Sequence, residues 1–167
     1  MSAEASGLLR SGDLDVIADQ LGRPPRGVVG VAARCVCSRP LVVRTAPRLE
    51  DGTPFPTTFY LTSPGAVKAV GTLEADGVMR EMTDRLAADE ELADAYQRAH
   101  TDYLRHRAEL GQVPEIEGIS AGGMPTRVKC LHVLVAHSLA AGPGINPLGD
   151  EALELIAPVW RADRCTC

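Results

Sequence analysis

A chain of 167 residues, 45% apolar and 23% charged, is sized for one domain and composed like an ordinary globular protein. A net charge of −5 argues against general nucleic-acid binding, and no stretch of about twenty apolar residues offers a membrane span. Five cysteines behind an N-terminal stretch that lacks an apolar leader segment predict reduced thiols or metal ligands in a cytoplasmic setting, rather than a disulfide framework.

The charge is uneven. Between Gly22 and Arg48 fall six arginines, Arg23, Arg26, Arg34, Arg39, Arg44 and Arg48, and no acidic residue. Residues 1–12, small and polar, read as a disordered tail, and 13–167 as a single domain. Leu14, Ile17, Ala18 and Leu21 give helical spacing over 13–21, with Asp13 as N-cap, and the Gly22–Gly27 stretch with its two prolines ends that helix. Val-rich runs at 28–35 and 41–46 predict two strands joined by a short turn, and 57–62 a third, flanked by prolines that suit an edge. Such short connections favour an antiparallel meander, one face of which the arginines would make basic.

Helices follow. Ser63 and Pro64 are an N-cap and a first-turn proline, Val78 to Ala88 carries an apolar stripe, and Asp89-Glu90-Glu91 opens a helix that runs to about Leu110. His100 and His106, among charged neighbours, are expected at the surface. Residues 120–141, SAGGMPTRVKCLHVLVAHSLAA, form a glycine turn leading into an apolar central helix, and 150–157 a last short one. The expected fold is α+β: a small antiparallel three-stranded meander packed against about six helices, with one buried central helix.

Chemistry concentrates in two constellations. The Cys-x-Cys pairs Cys35/Cys37 and Cys165/Cys167 each present two thiols on one side of an extended segment, and Cys130 with His132 stands at the start of the central helix. Soft thiolates from hairpin, helix and tail would hold zinc or an iron–sulfur cluster. His137 lies seven residues beyond Cys130, about 10.5 Å along a helix axis, too far to share an ion whose ligands sit about 2.0–2.3 Å away. It is expected to be a satisfied core histidine. The second constellation is Gly122 and Gly123 with Arg127 and Lys129, where exposed amides, the helix dipole and two cations would favour an anionic small molecule. A third reading is a nucleophilic Cys130 assisted by a histidine; no catalytic residue follows from the pattern.

The segments TAPRLEDGTPFPTTFYLT (45–62), GVMREMTDRLAADEEL (77–92) and SAGGMPTRVKCLHVLVAHSLAAGPGINPLGDEAL (120–153) resemble the actinobacterial family catalogued as domain of unknown function 501. The resemblance spans about residues 20–157. It carries no established activity, and it places Gly122, Gly123, Arg127, Lys129, Cys130, His132, His137, Asn146 and Asp150 in the family pattern. It ties Cys35 to that pattern more firmly than Cys37, leaving Cys35, Cys130, His132, Cys165 and Cys167 as the expected ligands. The family's gene neighbourhood, near enolase, a septum-formation initiator and an exopolyphosphatase, implies a cell-division or polyphosphate-related partner. The expected function is a cytoplasmic metal-binding regulatory domain. The alternatives are an enzyme acting on a phosphate-bearing substrate at the glycine turn, and an interaction module.

Overall fold

The computed structural model describes residues 7–167. The tail expected at 1–12 therefore lies partly outside the described residues; its remainder, 7–12, forms bends and a turn that lead into the first helix. The described chain runs α1 (Asp13–Leu21), β1 (Val28–Arg34), β2 (Pro40–Thr45), β3 (Phe59–Leu61), α2 (Pro64–Ala75), α3 (Val78–Ala88), α4 (Glu90–Ala108), α5 (Leu131–Ala141) and α6 (Pro147–Ile156), with a single 3-10 turn at Pro114–Ile116. The three strands form one antiparallel sheet in the order β1-β2-β3, which leaves β3 at an edge. The α+β meander with six helices is thus present.

β2 is buried along nearly its whole length because both faces of the sheet are covered. Val31 and Val43 face α1 and pack on Ile17. Val42, Phe59 and Leu61 join the main core with Leu131, Leu134 and Val135 of α5. The central helix buries six of its residues, Leu131, Leu134, Val135, Ala136, His137 and Ser138, so it has no solvated face wide enough to read as amphipathic. α6 lies close against it because Gly149 has no side chain: a Cβ there would overlap the Leu134 carbonyl and the Ser138 hydroxyl.

Several local expectations change. Asp13 is not the cap of α1. Gly12 occupies that position, and the buried Asp13 carboxylate instead accepts from the Arg10 amide and from both terminal nitrogens of Arg34. That ion pair is 2.6 Å long, with side chains only 10% and 8% exposed. Arg26, Arg44 and Arg48 pair with Asp51, Glu109 and Glu115, so four of the six arginines are matched by acids elsewhere in the chain and do not present a free basic face. The central helix begins at Leu131, well after the glycine turn, and α6 begins at Pro147, capped by Asn146.

His100 is buried, not superficial. It sits on the same stripe of α4 as Tyr96, Tyr103 and Arg107, and its Nδ1 lies 2.7 Å from the Ser120 hydroxyl. Burial pushes its pKa down, with Arg107 adding to the effect. Arg107 itself spends its guanidinium on the carbonyls of Pro56, Ile116 and Ile119, tying the loop after α4 to the sheet.

Candidate metal centre

The β1–β2 hairpin closes through the Cys35 amide donating to Arg39 (2.9 Å) and the Ser38 amide donating to Cys35 (2.8 Å), with Ser38 in the left-handed region at φ 74°. That tight turn carries Cys35, buried, and Cys37, exposed, at the end of the sheet. The C-terminal tail is brought to the same place by Trp160, which is 3% exposed and rests on the start of α2. A Cβ on Gly65 would stand 3.0 Å from the indole and 3.3 Å from the Thr166 hydroxyl, so the missing side chain is what lets the tail lie flat there. Cys165 and Cys167 flank Thr166. The result is that the sulfurs of Cys35, Cys37, Cys165 and Cys167 all lie within 4.8 Å of one another, a set of donors that can hold a metal ion.

Three of these thiols are shifted by their surroundings. Cys37 is drawn down to about 7, first by a hydrogen bond from the Arg39 backbone and then by its sulfur neighbours. Cys35 is raised, chiefly by burial. Cys167 is pushed up to about 12 by the protein around its sulfur and by the adjacent thiols. Four sulfurs this close cannot all carry negative charge without a cation among them, and a divalent ion supplies one.

Cys130 and His132, expected in the same site, lie in a second group with Glu74 of α2, whose donor atoms are likewise within 4.8 Å of one another. Glu74 Oε1 accepts from the Leu131 amide (2.8 Å) and lies 3.0 Å from His132 Nδ1, while His132 Nε2 lies 3.2 Å from the Val67 carbonyl. His132 is raised to about 9, first through the Cys130 side chain and then through Glu74, with burial opposing both. Both ring nitrogens are thus engaged locally, with Glu74 and Val67, and neither belongs to the four-sulfur group. Cys130 and His132 also line a groove of about 630 Å³ between β3, α2 and α5. Glu74 escapes a sequence reading, since nothing local links α2 to a residue 56 positions later. Cys37 was legible from the same i, i+2 geometry that admits Cys35.

The glycine turn is built differently from an anion cradle at a helix start. Gly122 and Gly123 have φ of 68° and 94°, and their carbonyls accept the amides of Lys129 (2.7 Å) and Arg127 (3.1 Å). A Cβ at Gly123 would come within 2.6 Å of the Arg127 carbonyl oxygen. The side chains of Arg127 and Lys129 are exposed. The amide end of α5 is met by Glu74, the chain's own carboxylate.

His137 is fully buried and satisfied on both sides. Asn146 Oδ1 accepts from the Gly149 amide, which fixes its Nδ2 toward His137 Nδ1 at 3.1 Å; Nε2–H therefore donates to Asp102 at 2.8 Å. Burial lowers His137 against the pull of Asp102. For Asp102, burial pushes upward, but the hydrogen bonds from His137 and Arg105 outweigh it and leave the carboxyl below its ordinary range. The ring also stacks on Phe59, with centroids 5.9 Å apart. This triad joins α4, α5 and α6 as a polar core network.

No helix among the described residues is long and apolar enough to cross a membrane. The family model described as "Protein of unknown function (DUF501)" matches residues 31–154, well over half of the chain, and the chain belongs to that family. No curated protein and no solved structure matches it.

Proposed function

We propose that this member of the family is a metal-binding domain in which Cys35, Cys37, Cys165 and Cys167 hold one zinc ion, pinning the C-terminal tail to the β1–β2 hairpin. The observation that carries this reading is the convergence of four sulfurs from the two ends of the fold within 4.8 Å. A tetrahedral zinc with bonds of about 2.3 Å has sulfur–sulfur edges of roughly 3.8 Å, compatible with four sulfurs that lie within 4.8 Å of one another. A cluster of several irons and bridging sulfides would hold the thiolates further apart, which favours one ion over an iron–sulfur cluster. Four thiolates fill a tetrahedron and leave no open position, so the role is structural: the ion fixes the tail, and with it whatever the tail covers.

Metal analysis of protein purified both aerobically and anaerobically tests the reading. About one equivalent of zinc, lost in Cys37→Ser and retained in Cys130→Ser, is the expected result. Less than about a third of an equivalent of any transition metal in both preparations refutes it. A visible absorption band with several irons per chain would replace zinc by a cluster.

A further inference from the structure

Five cysteines divide into a group of four and one that stands apart with an imidazole beside it. Cys130 is the N-cap of α5, half-buried, in extended backbone at φ −152° and ψ 110°. Its own side chain makes no capping bond, because Glu74 takes the first helix amide. The sulfur therefore has no structural duty in closing the helix.

His132 next to it is held as a cation by geometry. A carbonyl oxygen only accepts, so Nε2, 3.2 Å from Val67, must carry a proton. Nδ1 faces a carboxylate oxygen at 3.0 Å, which also calls for a proton. A doubly protonated ring beside a cysteine stabilises the thiolate, the nucleophilic form. The Nδ1 bond to Glu74 is partly buried, whereas the Nε2 bond to Val67 is exposed, so the Nε2 proton is the one a bound molecule can reach.

Both residues open onto the groove of about 630 Å³, whose walls are mostly apolar: Phe59, Leu61, Pro64, Val67 and Val133, with Lys68 at hand. A volume of that order accepts a small organic molecule. The Leu131 amide is already given to Glu74 and does not serve an oxyanion in the groove. A reaction that needs only a thiolate, a proton donor and an apolar wall fits the groove.

We propose that Cys130 is the nucleophile that reduces an organic hydroperoxide lodged in the β3–α2–α5 groove, with His132 as the proton donor. The sulfur attacks the terminal peroxide oxygen, an S–O bond forms and the O–O bond breaks. The alkoxide leaves and takes the Nε2 proton of His132, giving the alcohol, a neutral imidazole and Cys130 sulfenic acid. Sulfur is oxidised by two electrons and the peroxide is reduced by two. Two molecules of a small thiol restore the site: the first condenses with the sulfenic acid to a mixed disulfide and releases water, and the second displaces Cys130 and leaves as the symmetric disulfide.

The test uses the full chain loaded with zinc, cumene hydroperoxide as the probe, and dimedone to trap sulfenic acid. Trypsin releases 130–161 as a peptide in which Cys130 is the sole cysteine, so its labelling is read separately from the other four. Cys130 is expected to react at least about tenfold faster in the folded protein than in the chain unfolded by guanidinium, since folding supplies the neighbouring cation. His132→Gln should slow it about 100-fold, the usual minimum worth of a placed proton donor, without changing zinc content. Cumene hydroperoxide should outpace hydrogen peroxide at Cys130 by more than it does with free cysteine. Equal labelling of folded and unfolded chains overturns the proposal. So does an unchanged rate in a folded His132→Gln, and so does a preference for hydrogen peroxide. The folded-against-unfolded comparison needs no variant. Zinc content reads the tail site independently, so failure of one reading does not disguise failure of the other.

Discussion

Replacing Cys37 by serine separates the four-sulfur centre from every site that includes the central helix. The magnitude follows from chain topology. In the unfolded chain the two Cys-x-Cys pairs are separated by roughly 130 residues, and closing a loop of that length costs about 5 kcal/mol in the chain-entropy treatment. The fold has already brought the pairs together, so zinc binds the folded chain more tightly by about that amount, and at saturation the difference appears as stability. For a domain of this size it corresponds to a rise in Tm of roughly 10–20 °C. Calorimetric melts in phosphine-reduced buffer, with excess zinc or with a chelator, read it directly. Wild type and Cys130→Ser should both show the rise, within about 2 °C of each other. Cys37→Ser should lose most of it, because three thiolates remain and the fourth position falls to water or a serine hydroxyl. Coincident melts of zinc-loaded and metal-free wild type refute the centre. Equal losses in Cys37→Ser and Cys130→Ser refute the assignment of its ligands.

Three further outcomes are expected. Asn146→Ala should cost about 2–3 kcal/mol in urea titrations, because it strands the Gly149 amide and His137 Nδ1, both buried, without partners. Gly149→Ala should cost at least about 1–3 kcal/mol by forcing α6 away from Leu134 and Ser138, whereas Gly71→Ala, inside α2 with nothing within 4 Å, should add roughly 0.5–1 kcal/mol. Asp13→Asn should destabilise by about 1–3 kcal/mol at neutral pH. Arg34 holds the Asp13 carboxyl below its ordinary 3.8, so the pair's contribution is complete above that value and fades as pH falls through the depressed pKa; the gap between wild type and variant should therefore narrow in acid.

What could be read from the sequence was whatever is written locally. Ser63-Pro64 opens α2, Asp89 caps α4 by accepting from the Leu92 amide, and the stripe at Val78–Ala88 is a helix over those same residues. The Val-rich runs became strands because branched side chains suit a sheet covered on both faces. His100 was legible too, since 96, 100, 103 and 107 are helical neighbours, but its charged sequence neighbours hid the stripe. The remainder depended on distant partners. Asp13 looks like a cap and is claimed by Arg34, 21 residues on. The glycine turn looks like a helix start, yet its carbonyls capture the amides of Arg127 and Lys129 and delay the helix to Leu131. The basic run looks free, and its counter-charges lie up to 67 positions away.

The division of the cysteines follows from the same long-range logic. A thiol in the hairpin–tail group has three others as its nearest reactive neighbours, which suits it to share a cation and, once bound, to be protected from oxidants by it. Cys130 has instead an imidazole and the carboxylate that holds that imidazole in place, and it lies apart from the four clustered sulfurs. The two surroundings ask for opposite responses to an oxidant. Zinc loading should spare the four clustered thiols while leaving Cys130 reactive, and removing zinc should expose the four to oxidation without changing the rate at Cys130. Labelling followed peptide by peptide, with and without zinc, would display that contrast; a rate at Cys130 that changes with zinc would mean that the two groups act as one.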